Sequence, residues 1–173
     1  MRIIDYINQG GPIMYILLLL NILGFALMIS KLLTLNREKK DISRITDDLK
    51  KNIEESGRDN KDSNILIELS KRELSSYMEG MEKGLNTVKI IASISPLLGL
   101  LGTVIGVLIA FKVMAEGGLN NPSLFAEGIS MALITTVGGM IVAIPHYVGH
   151  NYLLGMLDNL ETSLEKDLVG KVL

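Results

Sequence analysis

The 173-residue chain carries 17 lysines and arginines against 19 aspartates and glutamates, and it has no cysteine. The near-balanced charge excludes a basic nucleic-acid footprint, and the absence of thiols excludes disulfides and cysteine-held metals. The length suits one domain, yet the apolar residues are gathered into runs at 13–30, 90–111 and 128–157 that contain no Asp, Glu, Lys or Arg. Each run is long enough to cross a hydrocarbon core of about 30 Å as a helix. The expected class is therefore an all-α integral membrane protein, with three transmembrane helices and a cytoplasmic helical hairpin extension.

In chain order, residues 1–12 form a short amphipathic segment in which Ile3, Ile4 and Ile7 share a face. Gly10 and Gly11 break it, and Pro12 suits a first helical turn. Residues 13–35 form the first span. Its apolar run is too long for a signal-peptide core, and no small-x-small cleavage site precedes Lys31, so it reads as an uncleaved helix. Residues 36–89 form the hairpin. Ile42, Ile45, Leu49 and Ile53 recur at three-four spacing, which predicts that the first helix continues beyond the membrane. Residues 55–64 hold turn formers and read as a loop. Ile67, Leu74, Met78, Met81, Leu85 and Val88 then lead into the second span at 90–114. A loop at 115–127 follows, where Asn121 can cap a helix with Pro122 in its first turn. The third span covers 128–157, and 158–173 is a tail.

Lys31, Arg37, Lys39 and Lys40 follow the first span, and Lys83 and Lys89 precede the second. By the positive-inside rule the 36–89 segment and the C-terminus are cytoplasmic, and the N-terminus and the 115–127 loop lie outside.

On a helical wheel the second span puts Ala92, Ser95, Gly99, Gly102, Thr103, Gly106 and Ala110 within about a third of its circumference. The third span groups Ala132, Thr135, Thr136, Gly139, Ala143, His146 and His150. Small stripes let helices approach closely. They are too broad for one intramolecular contact, so Ser95, Gly99, Gly102, Gly106, Ala132, Gly139 and Ala143 are expected to pack against a partner helix inside a ring of copies of this chain. Thr103, Thr135 and Thr136 are the candidate pore-lining residues. Thr103 and Thr136 each lie about 12 Å inward from the outer ends of their spans, at 1.5 Å per residue. Simple helix packing and a hydroxyl bond to the threonine's own helix are the plainer readings of these features. Pro96 and Pro145 each free a backbone carbonyl and are candidate helix kinks. His146 and His150 are candidates for a cytoplasmic proton exit, with an ordinary interfacial position as the alternative. The spans carry no acid, so a conductive pathway needs a carboxylate from another subunit. No metal site, cofactor or conventional enzyme activity is expected.

"GGPIM" before the first span, "PLLGLLGTVIG" in the second and "ALITTVGGMIVAIP" in the third together resemble the MotA/TolQ/ExbB proton-channel family, on the ExbB/TolQ side by topology. The resemblance covers the whole chain. It implies a ring, thought pentameric, in the bacterial inner membrane with the N-terminus periplasmic and the C-terminus cytoplasmic. It also implies a bitopic ExbD-like or TolR-like partner that supplies an intramembrane aspartate, and protonmotive force passed to a TonB-like or TolA-like protein. The family's pore threonines match Thr103 and Thr136. Met131 stands where ExbB-type proteins usually carry a glutamate, and His146 where a small apolar residue is common. Two other readings stay open, a membrane scaffold without conduction and a stator-like subunit of another ion-driven machine, sodium-driven machines included.

Overall fold

The computed structural model describes residues 3–56, 63–117 and 122–172. These form six helices: α1 (Ile3–Gln9), α2 (Gly11–Glu38), α3 (Ile42–Ser56), α4 (Ser63–Glu82), α5 (Leu85–Gly117) and α6 (Pro122–Val172). No strand occurs among the described residues, and the protein is an all-α membrane protein. Three helices are long and apolar enough to cross a membrane: α2, α5 over Leu85–Glu116 and α6 over Phe125–Lys171. The expected cap Asn121 and the middle of the 55–64 loop lie outside the described residues.

The chain divides into two compact units, the first comprising 1–27 and 87–149. Gly11 separates α1 from α2 at φ 65°, a left-handed value that favours glycine. The Gly10 amide donates to Tyr6 O at 3.0 Å, and Tyr15 Oη donates to Asn8 Oδ1 at 2.7 Å. Ile13 and Leu17 of α2, Ile91 of α5 and Val142 of α6 form one buried cluster, so all three spans share a core. Pro96 and Pro145 both lie inside continuous helices.

The second unit comprises 28–86 and 150–173. Its core joins Leu35 of α2, Ile45, Leu49 and Ile53 of α3, Leu74 and Met78 of α4, and Leu157, Leu160, Leu164 and Leu168 of α6. One sequence expectation changes here. The first helix does not run on to Ile53. It stops at Glu38, where the amides of Lys40 and Asp41 donate to Arg37 O and Glu38 O in a tight turn, and Asp41 O accepts from Ile45 to start α3. The expected tail, 158–173, is helical through Val172 as the end of α6, and its leucines, four apart, complete the core. Gly84, at φ 94°, ends the α4 segment with the left-handed turn that glycine permits. Nearby, Lys31 Nζ donates to Met81 O at 2.9 Å.

Polar contacts fix the end of α6 on α3. Lys171 Nζ donates to Asp47 Oδ1 at 2.6 Å, Thr46 Oγ1 at 2.8 Å and Ser43 O at 3.0 Å. The Thr46 hydroxyl, itself fully buried, donates to Asp167. That hydrogen bond, followed by the one from Lys171, holds the Asp167 carboxyl below its ordinary value. The hydrogen bond to Asp47 raises the Lys171 ammonium, and Asp167 adds to it. Tyr77 is pushed up to about 12 by burial and then by Glu38, whose Oε2 accepts its hydroxyl at 3.1 Å.

Two outcomes follow from this packing. Leu164→Ala removes a side chain with 0% exposure and should destabilise the second unit by about 2–5 kcal/mol in denaturant unfolding. The α6–α3 clamp has a pH window set by two opposite shifts. The lowered Asp167 contributes above the ordinary carboxyl value, and its contribution is lost as acid drives pH down through the lowered one. The raised Lys171 contributes below the ordinary amine value and is lost as pH rises through the raised one. Hydrogen exchange at the last turns of α6, measured relative to the intrinsic rate at each pH, should therefore be slow near neutrality and quicken below about pH 4. Asp167→Asn should quicken it at neutral pH and flatten the acid response.

Candidate functional site: the seam between α5 and α6

The small residues of the second and third spans face each other within the chain. A Cβ placed on Gly99 would stand 2.9 Å from Thr135 O and 3.1 Å from Thr136 Cα. On Gly106 it would stand 2.6 Å from Gly128 O, and on Gly139, 2.6 Å from Ser95 O. On Gly102 it would overlap the Thr135 side chain. The two helices are thus in backbone contact along an antiparallel seam. The expected role of Ser95, Gly99, Gly102, Gly106, Ala132, Gly139 and Ala143 as a surface for a partner helix is corrected by this placement. All seven are buried, and the contacts at Gly99, Gly102, Gly106 and Gly139 join α5 to α6. The stripe that looked too wide for one contact is accommodated because both helices offer one.

The three threonines part company. Thr135 is fully buried, and its hydroxyl donates to Met131 O at 3.1 Å and Ala132 O at 2.9 Å in its own helix. It is a seam residue and lines no open surface of the chain. Thr103 and Thr136 are half-buried. Thr103 Oγ1 donates to Leu100 O. Thr136 Oγ1 donates across the seam to Gly99 O at 3.3 Å. In an antiparallel pair of right-handed helices, the residue following a contact position turns to the same side on both. Thr103 follows Gly102 and Thr136 follows Thr135, so both border the seam on one side. The register sets them about 5 Å apart along the axis, at 1.5 Å per residue. Around them Leu100, Val104, Leu133 and Val137 are exposed, giving a pair of hydroxyls at the edge of an apolar surface.

The prolines and histidines also find definite places. Pro96 is exposed and Pro145 half-buried. Each deprives the carbonyl four residues earlier of its helical donor. His146 is not an exposed imidazole. It is fully buried, with Nδ1 2.7 Å from Val142 O and its ring against Gly24 and Phe25 of α2. His150, one turn on, is half-buried. Met131 reaches the start of α2, where a Cβ on Gly11 would lie 3.0 Å from its Cε. Sequence reasoning missed Gly24 and Gly138. The signal was there: two glycines within apolar helix interiors, where glycine is otherwise disfavoured. Gly138 receives Met14, whose Sδ would lie 2.6 Å from a Cβ there. An apolar cavity of about 660 Å³ lies beside this contact, lined by Leu17, Leu133 and Val137 among others, and none of the three threonines reaches it. Among the described residues no group of three or more His, Asp or Glu is placed to hold a metal ion.

A family model described as the MotA/TolQ/ExbB proton channel family matches residues 37–166. The biopolymer transport protein exbB1 of Vibrio cholerae is 41% identical over 86 residues, which is 49% of this chain and 38% of that protein. The biopolymer transport protein ExbB of Aquifex aeolicus is 39% identical over 74 residues, 43% of this chain and 50% of that protein. The Tol-Pal system protein TolQ of Haemophilus influenzae is 30% identical over 105 residues, 54% of this chain and 46% of that protein. Each match spans half or less of the relative's length.

The seam predicts a graded response to added methyl groups. Gly106→Ala and Gly139→Ala meet backbone or Cβ atoms that cannot yield cheaply and should destabilise the chain by about 1–3 kcal/mol. Gly155→Ala meets nothing within 4 Å and should be neutral or stabilising by up to about 1 kcal/mol. Unfolding of the reconstituted chain by a denaturing detergent measures all three.

Proposed function

Because this chain belongs to the MotA/TolQ/ExbB proton channel family, we propose that it is the channel and motor subunit of an ExbB–ExbD or TolQ–TolR type complex. In this reading, copies of the chain form a pentameric ring in a bacterial inner membrane, with the N-terminus periplasmic and the C-terminus cytoplasmic. The ring encloses the single spans of an ExbD-like or TolR-like protein whose aspartate takes and releases the proton. Protonmotive force then moves one part against the other, and a TonB-like or TolA-like protein carries the work across the periplasm.

The observation that carries this reading is the pair of half-exposed hydroxyls, Thr103 and Thr136, on one side of a rigid seam. The chain's spans hold no carboxylate of their own, so the acid must come from elsewhere. A hydroxyl both donates and accepts. It can therefore serve a partner carboxyl in its protonated and its ionised form. Thr135, sealed in the seam, is proposed to set the register. Because His146 is buried, His150 is the imidazole proposed for the water-facing end of a proton path.

The test is co-expression with the candidate bitopic protein, purification of the complex and measurement of proton flux in liposomes. Thr103→Val and Thr136→Val keep the shape and delete the hydroxyl. Assembly should survive, and flux should fall on the order of fivefold for each lost hydrogen bond of about 1 kcal/mol. Full flux in the double variant would reduce both threonines to packing. Sodium-dependent flux would favour a stator-like subunit of another machine. Failure to capture any bitopic partner, together with no flux, would favour a scaffold.

A further inference from the structure

Away from the threonines, the described residues contain a buried side-chain nitrogen with no hydrogen-bond partner, Nε2 of His146. The residue has 0% exposure. Its other nitrogen, Nδ1, lies 2.7 Å from Val142 O. A carbonyl only accepts, so Nδ1 carries the hydrogen, and in the neutral ring Nε2 holds the bare lone pair. Two residues of α2 receive this ring. Gly24 provides the space, since a Cβ there would fall on Nε2 and Cδ2 of the imidazole. Phe25 meets the ring edge-on, with centroids 4.9 Å apart and planes at 63°. The bare nitrogen is therefore pressed on α2 at a point where α2 has no side chain to move aside.

Imidazole is the side chain whose charge changes near neutrality. A proton on Nε2 converts an acceptor into a charged donor, and a buried charged donor requires an acceptor. The surroundings supply no carboxylate. On α2, residues 13–30 carry no charge, Tyr15 is their titratable residue, and the next charged one, Lys31, donates to Met81 O. On α6 the neighbouring titratable groups are Tyr147 and His150. On α5 the seam register brings Lys89 level with His146, and Lys89 is exposed. The Gly24 and Phe25 carbonyls belong to the helix ladder of α2. The Asn21 side-chain carbonyl, one turn earlier on α2, and water are the remaining acceptors, and the ring must leave its seat at Gly24 for Nε2 to reach either, so α2 draws back from α6 there.

We propose that Nε2 of His146 is an internal proton-binding site that operates a joint between α2 and α6. The neutral ring seats in the Gly24 notch and closes the joint, and the protonated ring opens it. This goes beyond the channel reading and does not depend on it, because the joint is defined by the packing of the chain itself.

The chain has two histidines and no cysteine, which makes the test direct. The His150→Asn chain, labelled with nitrogen-15 in histidine and held in nanodiscs, reports a single imidazole by NMR. Spin labels on cysteines introduced at the exposed positions Ile22 of α2 and Ile144 of α6 report the distance between the helices. Near pH 8 only Nδ1 should carry hydrogen. Over a titration from about pH 8 to about pH 5, the range in which imidazole charge can be followed, the longer-distance population should grow in step with the proton on Nε2 until it dominates. Gly24→Ala should show that population already near pH 8. His146→Phe, which keeps a flat ring in the notch, should hold the short distance throughout. An imidazole that stays neutral over this range, one that titrates with the distance unchanged, or a pH-dependent distance that persists in His146→Phe would each overturn the proposal. None of these readings requires flux, so a failed joint is distinguishable from a failed channel.

Discussion

The backbone contact of α5 with α6 is the constraint on which the membrane unit depends. Between helices in lipid there is little hydrophobic gain, because acyl chains are as apolar as leucine, so association rests on close packing. Glycine on glycine provides it. A Cβ on Gly106 would reach Gly128 O at 2.6 Å, and one on Gly128 would reach Gly106 O at 2.8 Å, so each carbonyl occupies the space the other residue leaves empty. Such a contact admits little sliding. It fixes the register, and the register decides that Thr135 is sealed while Thr103 and Thr136 stay at the edge.

Glycine has a second use against α2. There the contact is between a notch and a large side chain: Met14 in Gly138 and His146 in Gly24. The α5–α6 seam is rigid because backbone meets backbone. The α2 contacts rest on side chains that can change rotamer and, for His146, charge. The helix most able to move against the others is thus the one held by notches. Gly80, Gly155 and Gly170 meet nothing within 4 Å, so glycine alone carries no such meaning, and only its position against a neighbour does.

The three apolar spans were legible because lipid forbids charge over long runs, and that pattern survives in composition. The stripes were legible because helical period is fixed. Their destination was not, since a wheel shows which residues share a face but is silent on what the face meets. The helix break at Lys39–Asp41 was hidden for a related reason. Ile42, Ile45, Leu49 and Ile53 pack on the same core as Leu35 of α2, so the apolar pattern runs up to the first span without marking the turn. The end of α6 had a readable signal in Leu160, Leu164 and Leu168, whose spacing of four marks a buried helical face. His146 looked interfacial because it stands near the end of a span. Only the fold brings Gly24 to it.

With the small residues occupied in the seam, the membrane unit presents a different outer surface. Leu97, Leu100, Val104 and Leu108 of α5 are exposed, as are Leu133, Val137 and Ile144 of α6. Lipid satisfies such a surface without selecting among its residues. The hydroxyls at its edge are already paired, Thr103 with Leu100 O and Thr136 with Gly99 O, so the chain has no orphaned donor to drive a partner's binding there. Under the proposed function, affinity for a partner helix would come from shape along the leucines, and the threonines would add discrimination. An ionised carboxyl can accept a hydroxyl hydrogen only if that hydrogen turns away from its carbonyl, whereas a protonated one donates to the hydroxyl oxygen and leaves the existing bond intact. The two forms of the acid therefore meet the same edge with different energies. A proton-driven device of the kind proposed requires that difference, and here it would arise from two side chains whose place is set by glycines.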